Sequence, residues 1–433
     1  MRRNITDFIV NAARMVLALV FIFSGWVKAN DPMGMNYKLD PYLSAWGLDL
    51  PRMTVVVGAV LLASVEFTLG VCLLLGISRR KTAWFTLWMM GGLTAFTVYV
   101  VSFTPVEDCG CFSDVLLIPN WATVLKNVIL LACAGLLVWK PYRQVTFLSH
   151  STGWMVSTWT MLFSLVFSFY CYYCLPVTDM QPFHLGADME SLIQVPDSLR
   201  PTYTSVAVYR KDGKELTFDI EDEPDSTWAF VRVDRKIEKA GAEPMVKNFT
   251  MTDADGYDYT DDLLADTSYT FLLILPDVED ADDSNIGKIN EMYDYSLSHG
   301  YAFYGLTSSS PALVSEWKDM TGAEYPLLQG DLDALRRMVR SNPGLMLLHQ
   351  GKVIAKWSQA LMPGEEDIHA PLPSLHLDQC AIQREQSRQF WSLAIYLMPI
   401  IFVWIVQILA RRLRVNRRKK SREQPQKGQE ESH

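Results

Sequence analysis

The chain has 433 residues, of which 49% are hydrophobic and 20% are charged, and its formal net charge is −9. This composition is too apolar for an ordinary soluble protein and too charged for a bundle of membrane helices alone. The mean hydropathy of +0.08 averages apolar regions at 1–175 and 389–410 with a soluble-type region at 177–388. Acidic runs such as 277–283 in that region argue against nucleic acid as a partner.

Six apolar runs are long enough to cross a membrane, because about 20 apolar residues in a helix span a bilayer core. The first run is too long for the apolar part of a signal peptide, and no small-residue cleavage site follows it. We therefore predict six membrane helices. They lie at 8–28, 54–77, 83–104, 121–139, 153–174 and 389–410.

Basic residues cluster on one side of this arrangement. Clusters precede the first span, separate spans two and three, separate spans four and five, and follow the sixth span. Because positively charged loops remain in the cytoplasm, we expect both termini to be cytoplasmic and the large domain to be periplasmic. The predicted location is the inner membrane of a bacterium, where a multi-pass protein contacts membrane lipid.

Two ionisable side chains lie inside the predicted spans. Arg14 is in the first span and Glu66 is near the middle of the second. Charges at such depth are costly and usually face the bundle interior or a partner. Arg14 could instead extend its guanidinium group to the inner surface. For Glu66 we expect an ion pair with Arg14 or a hydrogen bond to a neighbouring helix, and a proton-relay or quinone-side role is the alternative.

A first cysteine pair lies on the predicted outer face, in the loop between spans three and four. Cys109 and Cys111 flank a single glycine. A disulfide between residues so close closes a small, strained ring, which makes it labile and suited to exchange. The alternatives are a structural disulfide to a distant cysteine, or two inactive thiols.

A second pair, Cys171 and Cys174, forms a Cys-x-x-Cys motif at the outer end of the fifth span, where Pro176 ends the helix. Residues three apart share one helix face, so the two sulfurs are expected side by side. Alternatively, these cysteines are ordinary members of an interfacial aromatic belt. Four thiolates could bind zinc, but the unlike spacings of the two motifs argue against a metal site. Cys380, just outside the sixth span, could pair or stay free.

The N-terminal third contains specific motifs. They are Arg14–Lys28 (RMVLALVFIFSGWVK), Asp31-Pro32, the loop Asp108–Asp114 (DCGCFSD) and Asn120-Trp121. With them, residues 8–140 resemble the DoxX/MauE group of redox-associated membrane proteins. The resemblance implies a four-helix bundle that takes part in disulfide or quinone-linked electron transfer outside the cytoplasm. The Cys-x-x-Cys at a helix end is also similar in layout, though not in sequence, to vitamin K epoxide reductase-like proteins, where it faces a quinone.

The exported region alternates strands and helices after an initial hairpin. A hairpin at 203–220 and a strand at 228–233 precede residue 243. Beyond it, strands alternate with helices and end in a hairpin, which is typical of an α/β sheet. The predicted strands are 249–252, 269–275, 301–307, 345–348 and 352–357, and the predicted helices are 286–299, 311–320 and 332–339.

Residues 243–365 resemble the thioredoxin fold in its TlpA/peroxiredoxin-like form. The clearest match is the stretch 341–354 (SNPGLMLLHQGKVI). The resemblance implies that Pro343 is the family's cis-proline. It also implies that a groove beside Asn342, Pro343 and Gly344 can hold an extended peptide.

One departure from this family is decisive. Its redox Cys-x-x-Cys should follow the strand at 269–275, but residues 276–281 read PDVEDA and contain no cysteine. Without a thiolate the domain cannot exchange disulfides itself. We therefore expect it to bind an exported client or an envelope protein partner.

The predicted fold is an all-α four-helix membrane bundle with two further transmembrane helices and an extracytoplasmic α/β thioredoxin-like domain, which a small β-rich segment precedes. The predicted divisions are the bundle at 1–150, the fifth helix with its Cys-x-x-Cys at 151–176, the β-rich segment at 177–242, the thioredoxin-like domain at 243–388, the sixth helix at 389–410, and a basic, then disordered, cytoplasmic tail at 411–433.

Two functions fit these features. In the first, Cys109, Cys111, Cys171 and Cys174 exchange disulfides with exported proteins and pass electrons to a lipid quinone, with no other cofactor. In the second, the protein is not an enzyme. The membrane bundle is then an anchor, and the redox-inactive domain is a docking or assembly subunit of an envelope complex.

Overall fold

A computed structural model shows the architecture. Helices occupy most of residues 2 to 174, two β-sheets lie between 202 and 358, and a long helix follows. The described residues are 2–48, 50–103, 119–195, 202–211, 214–219, 227–239, 242, 244–247, 249–364, 366–368 and 370–430.

Within the described residues, six helices are long and apolar enough to cross a membrane. They agree with the six predicted spans in number and order, which confirms the membrane part of the predicted fold. These helices are α1 (Arg2–Asn30), α3 (Arg52–Leu75), α4 (Arg79–Phe103), α5 (Asn120–Trp139), α6 (His150–Cys174) and α13 (Leu377–Glu430).

Two helical stretches differ from the sequence prediction. A helix, α2 (Pro32–Ala45), occupies what we expected to be a loop between the first two spans. It begins there because the Asp31 carboxylate accepts the N–H of Gly34 at 2.8 Å and because proline fits the first helical position. The second difference is that α13 continues to Glu430, where we expected a disordered tail. Arg, Lys, Glu and Gln, which dominate that tail, are good helix formers.

The helices α1 and α3 cross very closely in the bundle. A Cβ atom on Gly25 would lie 2.4 Å from the backbone nitrogen of Phe67, and one on Gly70 would lie 2.6 Å from that of Ile22. Glycine at both positions therefore allows the two backbones to approach, as small residues do in other membrane helix pairs. Buried apolar side chains such as Phe21 fill the core beside this crossing.

Two sheets follow the fifth membrane helix. The first contains three antiparallel strands in the order β2-β1-β3, and the second contains five strands in the order β6-β5-β4-β7-β8. Both predicted hairpins are present. The strands are β1 (Thr202–Lys211), β2 (Lys214–Asp219), β3 (Ala229–Lys239), β4 (Tyr269–Leu275), β5 (Ala302–Thr307), β6 (Leu327–Gln329), β7 (Gly344–His349) and β8 (Lys352–Ser358).

The five-stranded sheet has thioredoxin topology. Strands β4, β5 and β6 are parallel, whereas β7 and β8 run antiparallel to their neighbours. Apolar side chains cover both faces of the sheet in two separate cores, so β4 is buried along nearly its whole length. This arrangement confirms the predicted α/β thioredoxin-like fold. The helices that accompany it are α7 (Met189–Ile193), α8 (Thr260–Ala265), α9 (Ile286–His299), α10 (Pro311–Thr321), α11 (Leu332–Met338) and α12 (Leu372–Leu375).

One predicted strand is wrong and one strand was missed. Residues 249–252 form no strand, and Thr252 instead makes isolated bridges with Asp258 and Gln329. The segment turns back on itself because the Asp253 carboxylate accepts two backbone N–H groups of the following turn, at 3.0 and 2.9 Å. Strand β6 has only three residues, which is too short for a recognisable alternation.

Candidate thiol site

The described residues include one of the two predicted cysteine pairs. Cys109 and Cys111 lie outside the described residues. Cys171 and Cys174 occupy the last turn of α6 as free thiols. Cys171 is only 1% exposed and packs in a small apolar cluster that includes Phe167. Cys174 is half-buried and lines a cleft of about 470 Å³.

This cleft lies between the membrane part and the thioredoxin-like domain. Its walls include the end of α6, strand β8, the end of α11 and the beginning of α13. Cys380, an exposed thiol on α13, lines the same cleft as Cys174. No motif predicts that these two thiols share a cleft, because their proximity depends on how α13 packs beside α6.

The last turn of α6 is held by groups from elsewhere in the chain. The Ser358 hydroxyl of β8 donates a hydrogen bond to the carbonyl of Tyr173 at 2.6 Å. Nη2 of Arg388 on α13 donates to the carbonyls of Cys174 and Leu175 at 3.1 and 2.8 Å. The final carbonyls of a helix lack intrahelical partners, and a cation there also complements the helix dipole. The thioredoxin-like sheet and the sixth span thus fix the backbone that carries Cys174.

The residue after Cys174 has an unusual backbone. Leu175 has φ 65° and ψ 158°, a region that is essentially reserved for glycine. Such a conformation costs about 1–3 kcal/mol and persists only where surrounding contacts impose it. Here the Arg388 hydrogen bonds supply part of that constraint. Strain of this kind is frequent at functional sites, and here it directly adjoins the cleft thiol.

Asp31 joins the membrane bundle to the thioredoxin-like domain. Its Oδ2 accepts hydrogen bonds from Nε of Arg340 at 3.0 Å and from Nε2 of Gln181 at 3.4 Å. The Asp31 and Arg340 side chains are 8% and 4% exposed, so this ion pair is buried. Next to it, Asn30 and the backbone of Thr178 exchange two hydrogen bonds. The segment that follows the Cys-x-x-Cys is therefore tied to the end of α1.

The helix α2 extends this interface. The guanidinium of Arg336 lies 4.5 Å from the centre of the Tyr37 ring, and Nη2 of Arg336 lies 3.7 Å from Oδ2 of Asp40. Burial raises the pKa of the Tyr37 phenol and also that of the Asp40 carboxyl. Arg52, at the start of α3, donates to the carbonyl of Asp280 at 3.2 Å. The end of the domain where related folds carry their redox motif therefore faces its own membrane bundle.

The segment predicted to bind peptide is closed in this arrangement. The Asn342–Pro343 peptide bond is cis, as expected, and Asn342, Pro343 and Gly344 are all buried. The Asn342 side chain donates to the carbonyl of Asp277 at 2.6 Å, and the Asn342 carbonyl accepts the N–H of Asp282 at 3.1 Å. Peptide binding at these residues remains a prediction, and these internal hydrogen bonds do not favour it.

Glu66 forms an ion pair with Lys28, which was not among its expected partners. Its carboxylate accepts hydrogen bonds from Nζ of Lys28 at 2.7 and 2.8 Å and from Oγ of Ser24 at 2.8 Å. The expected hydrogen bond to a neighbouring helix is therefore present, but the alternative pair with Arg14 is wrong. Arg14 lies fourteen residues before Lys28 on α1, or about 21 Å along the helix. It donates instead to the carbonyl of Val145.

The comparisons with known proteins concern separate parts of the chain. Residues 6–140 match the family model of methylamine utilisation protein MauE, and residues 203–240 match a domain of unknown function (DUF8463). No curated protein matches the chain.

Two solved structures are similar to the thioredoxin-like part. A candidate protein disulfide isomerase from Bacteroides thetaiotaomicron is 22% identical over 30% of this chain and 80% of that chain, with a TM-score of 0.22. A Cys→Ser variant of Xanthomonas campestris peroxiredoxin Q is 13% identical over 30% of this chain and 90% of that chain, with a TM-score of 0.23. The strand order, rather than these similarities, establishes the fold. The chain is a multi-pass membrane protein whose N-terminal region is similar to MauE and whose later part has a thioredoxin-like fold.

Proposed function

We propose that this protein exchanges disulfides with exported proteins at the outer face of a bacterial inner membrane. The observation behind the proposal is that the two cysteines of the Cys-x-x-Cys motif differ in solvent exposure. Cys174 lines the cleft, whereas Cys171, one helical turn earlier, is 1% exposed. Exchange needs an accessible sulfur that forms the mixed disulfide and a nearby second sulfur that resolves it.

In the oxidising direction, a client thiolate attacks the Cys174 sulfur of a Cys171–Cys174 disulfide. A client–Cys174 bond forms, the Cys171–Cys174 bond breaks, and Cys171 leaves as the thiolate. A second client thiolate then attacks the mixed disulfide, which closes the client disulfide and releases Cys174. The two electrons now held by the dithiol pass to a lipid quinone, which takes up two electrons and two protons to become a quinol. Cys109 and Cys111 offer an intermediate exchange on that path.

Formation of the Cys171–Cys174 disulfide requires the end of α6 to move. Cβ atoms three residues apart on a helix are about 5–6 Å apart, whereas a disulfide needs about 3.5–4.5 Å. Cys174 is the last residue of α6, and the strained Leu175 follows it. Unwinding of this final turn relieves that strain while it brings the two sulfurs together.

The proposal includes the orientation that the basic clusters indicate, with both termini cytoplasmic and the thioredoxin-like domain periplasmic. Reporter fusions after residues 80, 112, 145, 250 and 425 should read inside, outside, inside, outside and inside. A cytoplasmic reading at 112 and 250 places the cysteine pairs in a reducing compartment, and the exchange function must then be rejected.

A trapping experiment tests the chemistry. In the Cys171→Ser variant, the Cys174 thiolate can still attack a client disulfide, but Cys171 is no longer present to resolve the mixed disulfide, which only a second client thiolate can then release. Client adducts at Cys174 should therefore accumulate in membranes and appear on non-reducing gels and by mass spectrometry. Cys174→Ser should carry none, and Cys72→Ser, which alters a buried cysteine of α3, should match the wild type. Absence of adducts with the quinone pool both oxidised and reduced rejects the proposal.

A docking or assembly role is the second candidate, and one observation favours it. Residues 276–281 carry no cysteine, and the carbonyl of Asp280 in this segment binds Arg52 of the membrane bundle. The domain is thus held in place without a redox group of its own. Under this function, Cys171→Ser and Cys174→Ser leave envelope thiol status unchanged, while an envelope partner still copurifies with each variant.

A further inference from the structure

We infer that the cleft beside Cys174 binds an extended acidic peptide segment, which adds a strand to the free edge of β8. The inference rests on the proposed function in one respect, because it takes this peptide to be part of the client that exchanges disulfides. It places client binding away from Asn342 and Pro343, which are buried.

The edge of β8 supports strand addition. β8 is the last strand of its sheet and pairs along one side with β7. On its other side, Val353 exchanges backbone hydrogen bonds with Gly186 and Ala187 at 2.7 and 3.0 Å. Beyond that point, no described segment other than β7 makes a backbone hydrogen bond to residues 355–357, and these three residues line the cleft. An uncovered edge strand offers a row of N–H and C=O groups to an extended peptide.

The charge of the cleft selects for carboxylates. Six of its lining side chains are Lys or Arg, and three are Asp or Glu. Two of the six are already neutralised, Lys356 by Asp179 at 2.7 Å and the buried Arg340 by Asp31 at 3.0 Å. Arg337 and Arg384 have no carboxylate within ion-pair distance among the described residues, and Arg388 uses its guanidinium on carbonyls. A partner with acidic side chains is therefore complementary to this surface.

The same geometry brings such a peptide to the reactive sulfur. Ser358, at the end of β8, is hydrogen-bonded to the carbonyl of Tyr173, the residue before Cys174. A peptide that follows β8 toward Ser358 therefore arrives at the end of α6. The volume of about 470 Å³ lies within the roughly 300–1,000 Å³ range of ligand clefts.

The test uses the full chain in nanodiscs of phosphatidylcholine and fluorescent peptides of about ten residues, with affinity measured by anisotropy. The first peptide alternates Glu and Val around a central Ser, so no exchange can occur. A second peptide has Lys in place of Glu, and a third has alternate backbone amides N-methylated, which removes the strand hydrogen bonds. The acidic peptide should bind, and the other two should bind at least about tenfold more weakly. Arg384→Glu should weaken binding, whereas Lys318→Glu on α10 should leave it unchanged.

Equal affinity for the N-methylated and unmodified acidic peptides overturns strand addition. If no peptide binds and fluorescent phosphatidylglycerol binds instead in an Arg384-dependent manner, the cleft is a lipid headgroup site and the inference fails. Peptide binding without any client adduct at Cys174 supports the inference and rejects the proposed function. Client adducts at Cys174 without peptide binding overturn the inference and support the proposed function.

Discussion

Asp31 and Arg340 form a buried ion pair across 309 residues of sequence, with Nε and Oδ2 3.0 Å apart. Asp31 caps the start of α2 in the membrane bundle, and Arg340 precedes the cis-proline segment of the thioredoxin-like domain. One carboxylate therefore sets a helix start and also holds the two parts of the molecule together. Through Gln181, it also contacts the segment that leads away from Cys174.

Removal of either partner should strongly destabilise this interface. Asp31→Asn leaves the Arg340 guanidinium buried without its carboxylate, and Arg340→Met leaves the Asp31 carboxylate buried without its cation. Loss of one partner of a buried ion pair costs about 3–5 kcal/mol. Thermal unfolding of the full chain in detergent measures the effect. The half-exposed pair Arg143–Asp7 is the matched control, since Asp7→Asn there should cost less than about 1 kcal/mol. Equal effects at the two pairs contradict a buried interface.

Glycine should be better than alanine at residue 175. In ordinary backbone conformations, alanine gives a more stable protein than glycine by about 0.5–1 kcal/mol. At a residue with positive φ, glycine is the more stable of the two. Leu175→Gly should therefore be more stable than Leu175→Ala by about 1 kcal/mol in thermal unfolding. Leu185, which is not among the residues with positive φ, should show the ordinary order for the same two substitutions. The same order at both sites rules out strain after Cys174.

The Lys28–Glu66 pair should tolerate joint replacement better than single replacement. Both side chains are buried, at 4% and 2% exposure, so Glu66→Leu alone leaves a lone ammonium in the bundle and should cost about 3–5 kcal/mol. Lys28→Met combined with Glu66→Leu should recover most of that loss, as measured by unfolding in mixed micelles. Ser24→Ala, which removes one hydroxyl donor to the carboxylate, should cost about 1.5–3 kcal/mol. A double variant no better than the single one contradicts a simple ion pair.

Thiol labelling should follow the burial of each cysteine. In single-cysteine variants of the native protein, a water-soluble maleimide should modify the exposed Cys380 fastest and the half-buried Cys174 more slowly. Cys171, at 1% exposure, should react only after denaturation. Mass shifts over time measure the three rates. Fast labelling of Cys171 in the native protein contradicts its role as the shielded partner.

Acid should remove a stabilising contribution of Asp258. Hydrogen bonding from the Thr260 hydroxyl, and then from backbone N–H groups, lowers the pKa of this carboxyl. Because the folded pKa is below the unfolded value of about 3.9, the contribution is present above that value and is lost as the pH falls through the folded pKa. Asp258→Asn should therefore lower the melting temperature at pH 7 but make little difference at the acid end. Asp255→Asn, on the same turn, is the control, and a constant difference at all pH values contradicts this account.

The sequence by itself determined the features that depend on local signals. Six apolar runs gave six membrane helices, because helix length must match bilayer thickness. The apolar strand at 269–275, the strands and helices that alternate after it and the final hairpin indicated the α/β sheet of the thioredoxin-like domain, and residues 276–281 contain no cysteine where related proteins carry a redox pair. The Cys-x-x-Cys was placed at a helix end for the same local reason, a proline two residues beyond it.

Only the tertiary structure decided which of these residues meet. Lys28 pairs with Glu66, and Arg340 pairs with Asp31. Arg388 donates to the carbonyl of Leu175, the residue after Cys174. Each contact joins residues from different elements, and helix or strand periodicity specifies a face of one element but not its neighbour. The cleft beside Cys174 also has no local signature, since residues from many separate parts of the chain form its walls. Packing fixed these relations, because a buried charge is stable only where the whole fold brings its partner to it.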